Sequence, residues 1–502
     1  MAKQALLIFT LIACLLMLVH GNRTVFNGDE GILLEPAQRI SQGARPFLDF
    51  YCHMGPGSYW WQAIVFSTLG VSMLSARLLT ILDFSALSAL LFWLVAKYGS
   101  RRAAWITLAL FIVLQTADVT VLNAQHRWDS GALTFGALVA VIVAESKPHL
   151  GALAGVLTAM AVISTPSIAL FAVVTVAWLF LERRTAVLGW FLGGAAATAA
   201  AVTGFMAFTQ TLMPFIRQMF WLRSNYSEVN IVGYGAVIGG YNNLFKDVSG
   251  VALVMQCGIV FCLILPATLP IAAALGWGVQ LLRNQVEKSE RGTFLYLLAC
   301  MGALLISALP RPDVMHLTFV AALAYALVAI WIARWLSVGQ SALLIGAVSV
   351  FSSFFLLHTI LDWRATSTIQ SPVGALRVPS QSEQQITQLL TMVQPNQSLY
   401  VHPYMPVFYF LTQARNPTQF SFLAPGMMTA IEERSALGDL SARPPEWILF
   451  LPLSREEYLR VFPHATKLNE RFEGIESWMN QNYKPAQPAV TIAGYSLLRR
   501  AR

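Results

Sequence analysis

The chain predicts a polytopic α-helical membrane protein with a small α/β domain at its C-terminal end, on three observations. Of its 502 residues 56% are hydrophobic and only 12% are charged, where an ordinary soluble domain carries about a quarter charged residues. Apolar runs long enough to enter a bilayer core recur through the first three-quarters of the chain. From Arg364 onward the composition becomes that of a soluble domain, with short extended runs between helical stretches.

The apolar runs give about eleven spans: 5–20, 76–96, 103–122, 130–145, 150–164, 167–181, 186–209, 250–282, 293–309, 317–333 and 340–361. The first follows Lys3 like a secretory leader, but His-Gly-Asn-Arg comes after it and no small-x-small cleavage pattern does, so it reads as a retained helix. Several runs are short for a core about 30 Å thick, whereas 250–282 is long enough to tilt or break. With the N-terminus inside, the inside loops hold Lys97, Arg101 and Arg102; Lys147; Arg183 and Arg184; Arg283, Lys288 and Arg291; and Arg334. Every one carries Lys or Arg, as the positive-inside rule requires. A multi-pass inner (plasma) membrane protein follows, with residues 1–362 as the transmembrane part and 363–502 as the outer α/β domain on the non-cytoplasmic side. In the latter, 398–402, 447–453 and 490–498 read as strands and 383–393 as a helix.

The outside receives the 21–75 loop, a short turn near Asp129, the 210–249 loop and the Arg311–His316 turn. Within 21–75, Tyr59-Trp60-Trp61 and the apolar run to Leu74 suggest one or two interfacial helices. The net charge of +8 sits at the ends of apolar runs, with no basic run interleaved with aromatics, which argues against nucleic acid as a partner. Cys14, Cys257, Cys262 and Cys300 lie in apolar runs and Cys52 stands alone, so no disulfide framework is expected, and no Cys/His metal cluster is spelled out.

The polar residues that carry chemistry gather outside. Asp29 and Glu30, in Asn27-Gly-Asp-Glu-Gly, lie about ten residues beyond the first span, within reach of the membrane face. A carboxylate there can take a proton from an acceptor group; Asp29 can equally cap the following helix. Asp49 can bind substrate or pair with Arg45. In His126-Arg-Trp-Asp129, Arg127 or His126 can face a phosphate or anchor at the interface, and Asp129 can hold a metal or substrate or cap the fourth span. In Leu309-Pro-Arg-Pro-Asp-Val-Met-His, Arg311 offers a planar fork that matches phosphate oxygens, or it closes the turn by pairing with Asp313. Asp313 and His316 share a face if a helix starts there. The 210–249 loop sets Arg217, Trp221, Arg223, Tyr226, Tyr234 and Tyr241 among glycines 233, 235, 239 and 240, which suits a lid over a sugar or an interfacial helix.

The first outside loop, with its acidic pair, Gly43-Ala-Arg-Pro-Phe-Leu-Asp and Gly55-Pro-Gly-Ser-Tyr, resembles that of the GT-C superfamily. That superfamily includes protein O-mannosyltransferases and the lipid A aminoarabinose transferase. Phe47 departs from the pattern, where Tyr is commoner. The resemblance implies a GT-C-like fold and an inverting glycosyltransferase that takes sugar from a polyprenyl-phosphate donor on the non-cytoplasmic face. The acceptor would be an envelope lipid, glycan or protein. It also implies that Asp29 is the catalytic base, with Glu30 beside it as a metal or acceptor contact. Arg45, Asp49, Arg127, Asp129, Arg311, Asp313 and His316 would bind substrate. A divalent cation, Mg or Mn, would sit on Asp29, Glu30 and Asp129. Two other classes compete: a transporter or flippase, and a non-catalytic lipid-binding assembly protein. Transporters place polar sites near mid-membrane in paired halves, whereas here the ionisable residues cluster outside and no repeat is visible.

Overall fold

The computed structural model describes residues 2–24, 26–116, 121–236, 245, 248–424, 428–461, 464 and 472–501. Each predicted span forms a helix. Helix α1 (Ala2–His20) leads to α2 (Gly28–Ser41) and α3 (Pro56–Leu69), both in the first predicted outside loop. The bundle continues through α4 (Met73–Tyr98), α5 (Arg101–Thr116), α6 (His126–Ala144), α7 (Leu150–Ser164), α8 (Ala169–Leu181) and α9 (Thr185–Phe208). Then come α10 (Leu212–Val229), α11 (Gly250–Leu282), α12 (Lys288–Ser307), α13 (Val314–Val320), α14 (Ala322–Trp335) and α15 (Val338–Arg364).

Among the described residues, 7 helices are long and apolar enough to cross a membrane, or 8 if α13 and α14 count as one broken span. Of the two outcomes expected for the eighth run, a tilt or a break, no break occurs. α11, the long eighth run, continues through Pro266 and Pro270 as one helix of 33 residues. The tenth run is the one that turns, by 67° between α13 and α14.

Burial sorts the helices by solvent. α4 and α6 are the most enclosed, whereas α1, α9 and α15 expose most of their apolar surface. Leu18, Phe208 and Leu282 are each at least 80% exposed; such a surface is stable against acyl chains and not against water. The protein is a multi-pass membrane protein. The basic loops assemble at one end of the bundle: Arg334 donates to Glu290 at 2.7 Å and to the Tyr98 carbonyl at 2.7 Å, and Arg184 pairs with Glu145 at 2.7 Å.

The C-terminal region opens with a hairpin of β1 (Thr366–Ser371) and β2 (Gly374–Pro379), then α16 (Glu383–Met392). Strand β3 (Leu399–His402), α17 (Val407–Thr412), α18 (Ala430–Ala442), β4 (Trp447–Phe450), α19 (Arg455–Val461) and α20 (Glu473–Asn482) follow. Three short strands end the chain: β5 (Tyr483–Pro485), β6 (Thr491–Ile492) and β7 (Tyr495–Arg500). The sheet runs β3-β4-β7-β5 with β6 on β7, parallel only between β3 and β4. The three expected strand regions and the expected helix are present; the hairpin and β5 were not foreseen.

This region does not stand apart from the first loop. One hydrophobic cluster takes Phe26, Leu34, Phe50 and Tyr59 from the loop and Val401, Phe408, Phe410 and Leu449 from the C-terminal region. All six residues of α17 are buried against α2 and its surroundings, and each large apolar side chain among them contributes about 2 kcal/mol.

Candidate functional site

At the end of the bundle away from the basic loops, α2, α6, α10, the α13 turn and the C-terminal region enclose a cleft of about 480 Å³. Asn27 sets its first carboxylate. The Asn27 side chain accepts the Asp29 backbone N–H at 2.9 Å and so caps α2, which leaves the Asp29 carboxylate exposed in the cleft. The capping alternative for Asp29 is thereby taken by its neighbour. The Tyr404 hydroxyl, on the loop after β3, donates to Asp29 Oδ1.

Across the cleft, Arg127 stands in the first turn of α6, close enough for Asp29, Asp313 and Tyr226 to act on its charge. Among the described residues its guanidinium has no protein hydrogen-bond partner. Beside it the His126 ring shares a 2.7 Å hydrogen bond with Thr165, whose hydroxyl donates to Ser130 at 2.9 Å. Arg311 is held instead: it donates to Asp313 at 3.0 Å and to Asn230 at 2.7 Å. Asp313 caps α13 by accepting the His316 N–H at 2.9 Å and contacts the His316 ring at 2.8 Å. Burial alone would raise Asp313, but the hydrogen bonds from His316 and the charges of His316 and Arg311 outweigh it and hold the carboxyl below its ordinary value. Arg311, Asp313 and His316 therefore form a turn-closing triad and line the cleft together.

Four of the expected site residues lie elsewhere. Glu30 is fully buried, paired with Arg77 of α4 (3.1 Å for the longer contact), and accepts the Ala124 N–H at 3.2 Å. One residue along a helix turns the side chain by roughly 100°, so Glu30 faces the bundle while Asp29 faces the cleft. Asp129 is buried against Asp83 and Ser58 for the same reason, two residues on from Arg127. Arg45 and Asp49 pair with each other at 3.3 Å on the surface, outside the cleft. The carboxylates of Asp29, Glu30 and Asp129 thus do not converge, and among the described residues no three His, Cys, Asp or Glu side chains are grouped to hold a metal ion. The expected cation set does not fit this arrangement.

The structure adds residues that sequence reasoning passed over. His53 lines the cleft, edge-on to Tyr226 at 5.1 Å and to Phe422 at 5.5 Å. Burial lowers its pKa to about 4, so it is neutral at neutral pH. Tyr226 and Asn230, at the end of α10, come from the expected lid. The stretch after them is laced to the arginine turn, with Gly235 N–H on the Pro312 carbonyl at 2.8 Å and Val314 N–H on the Ala236 carbonyl at 3.1 Å. Gly239, Gly240 and Tyr241 lie outside the described residues, as does the Arg223 side chain. From the C-terminal region Tyr404, Glu457, Tyr458 and Tyr495 complete the wall. Tyr404 sits in the Tyr400-Val-His-Pro-Tyr-Met-Pro stretch, which reads in sequence either as a substrate-recognition segment or as a packed strand and turn.

No family model matches the chain, and no curated protein sequence matches it. Solved structures do. The crystal structure of ArnT from Cupriavidus metallidurans bound to undecaprenyl phosphate aligns over 99% of this chain and 98% of its own, with a TM-score of 0.58 at 10% identity. The apo form of the same protein aligns over the same shares with a TM-score of 0.56 at 11% identity. The oligosaccharyltransferase AglB from Archaeoglobus fulgidus aligns over 89% of this chain and 69% of its own, at a TM-score of 0.49 and 11% identity. The likeness to ArnT spans both chains nearly end to end, and at such identity it is a likeness of fold.

Proposed function

Because the chain has the fold of the GT-C membrane glycosyltransferases, we propose that it transfers a sugar from a polyprenyl-phosphate donor to an acceptor in the Asp29 cleft, with inversion. The observation that carries this reading is the cleft itself, where one exposed carboxylate faces a half-buried arginine that bonds no protein group among the described residues. ArnT from Cupriavidus metallidurans, of the same fold, has been solved bound to undecaprenyl phosphate. Such a donor presents one phosphate at the membrane face, and Arg127 is the group suited to it. Arg311, already bonded to Asp313 and Asn230, adds fixed positive charge behind.

In the proposed step Asp29 takes the proton of the acceptor hydroxyl or amine. The acceptor atom attacks the anomeric carbon from the face opposite the phosphate, the carbon–oxygen bond to phosphate breaks, and its electron pair stays on the phosphate. Arg127 neutralises that developing charge. The neutral His53 and the aromatic rings of Tyr226, Phe422 and Phe319 give a sugar a partly apolar surface. The Lys and Arg pattern of the loops supports a cleft on the non-cytoplasmic side of a plasma membrane.

The test is transfer in membranes. Membranes containing the chain should move label from a radiolabelled polyprenyl-phosphate sugar into an envelope fraction and leave free polyprenyl phosphate in equal amount. No transfer of label and no release of free polyprenyl phosphate across a panel of donors would contradict the proposal.

A further inference from the structure

Asp29 lies near the start of the chain and Tyr404 375 residues later, yet the two side chains meet at the head of the cleft. The meeting depends on two glycines of α2. A methyl group built on Gly28 would lie 2.6 Å from the Tyr404 ring, and one on Gly31 would lie 1.9 Å from the Val407 nitrogen. Both distances are inside van der Waals contact, and the second is with backbone, which cannot swing aside. Neither glycine has a positive φ, so close approach is what requires them. The loop is held from behind as well: the Tyr495 hydroxyl of β7 donates to the Tyr404 carbonyl at 2.8 Å, and the Tyr404 ring stands edge-on to Phe422 at 5.1 Å.

We infer that Tyr404 is a positioning residue for the Asp29 carboxylate, brought to it by the C-terminal region along a seam that Gly28 and Gly31 leave open. The inference rests on the reading of Asp29 as the base. The hydroxyl is the donor: burial, with the negative charge of Asp29 added, holds the Tyr404 phenol well above its ordinary pKa, so it keeps its proton. A donor on Oδ1 favours the ionised carboxylate and fixes its plane, which leaves Oδ2 to face the acceptor proton. The C-terminal region then supplies part of the catalytic geometry as well as a wall of the cleft.

The experiment measures transfer from the polyprenyl-phosphate sugar against pH for the wild type, Tyr404→Phe, Gly28→Ala and Asp29→Asn, each in the full-length chain. Tyr404→Phe removes one oxygen and keeps the ring, so the packing against Phe422 remains. Its kcat should fall about tenfold, the usual worth of a hydrogen bond to a charged group, with the donor KM unchanged. The acid limb of its pH profile should move to higher pH, because the charged carboxylate has lost a donor. Gly28→Ala, which drives the ring off Asp29, should show the same displaced limb. An acid limb for Tyr404→Phe that superimposes on the wild type, with Asp29→Asn inactive, overturns the positioning role alone. Transfer retained by Asp29→Asn overturns the base reading beneath it.

Discussion

Arginine 127 and glutamate 30 show how single side chains divide between chemistry and structure. Arg127 is within electrostatic reach of Asp29 and bonded to no described protein group, so its removal should act on substrate and hardly on the fold. Arg127→Gln is expected to lower kcat/KM for the donor by about ten- to a hundredfold, with the melting temperature in detergent close to wild type. Unchanged kinetics would remove it from the phosphate site. Glu30 is the opposite case. It neutralises Arg77 inside the bundle, and removing one partner of a buried pair costs about 3–5 kcal/mol. Glu30→Gln should therefore melt at a clearly lower temperature, with a normal pH profile in whatever folded protein is recovered. The acidic pair was legible in the sequence as a feature of the site, because carboxylates just outside a span are few. Which of the two faces the cleft depends on the rotation of α2, and that follows from the Asn27 cap and from the Arg77 that awaits Glu30. The His53 contribution was not legible, since a lone histidine in a loop has no partner in sequence, and the Tyr404 stretch was open to substrate recognition or to plain packing because its contact with Asp29 exists only in the folded chain.

At the scale of elements, the apolar runs announced each span because the bilayer imposes length and composition on it. Bends are less visible. Two prolines in α11 leave it continuous, whereas the α13–α14 turn has no proline and bends by 67°. The glycines of α2 carry a prediction of this kind. Gly31→Ala must push α17 off α2, so it should lower the melting temperature more than an alanine at Gly43, where a methyl group meets nothing within 4 Å; the positive φ of Gly43 makes this a demanding comparison. Strand β3 carries another. Burial lowers the pKa of His402 from its ordinary 6.5 to about 3, so between those values the unfolded chain binds the proton and the folded chain does not. The stability this neutral histidine permits is complete above pH 6.5 and declines as pH falls toward 3. Melting curves at pH 7 and pH 5 should show a larger drop for the wild type than for His402→Phe, and equal drops would contradict the assignment.

For the whole molecule, the soluble character of residues from Arg364 onward was plain in the sequence, but its union with the first loop was not. Composition marks a boundary near residue 363; packing erases it, because the core of the C-terminal region is completed by Phe26, Leu34 and Phe50. At the junction Arg23 pairs with Asp362, and the Thr24 N–H bonds the Arg377 carbonyl at 3.0 Å. That union closes the cleft over Asp29 and makes a small site at the end of a large bundle. The claim on which the account turns is that Asp29 is the base. The measurement is single-turnover transfer from a polyprenyl-phosphate sugar by purified wild-type protein and by Asp29→Asn, matched for melting temperature and for binding of the free polyprenyl phosphate. The variant should bind the lipid as the wild type does and transfer at least about a hundredfold more slowly. Equal transfer rates would contradict the claim.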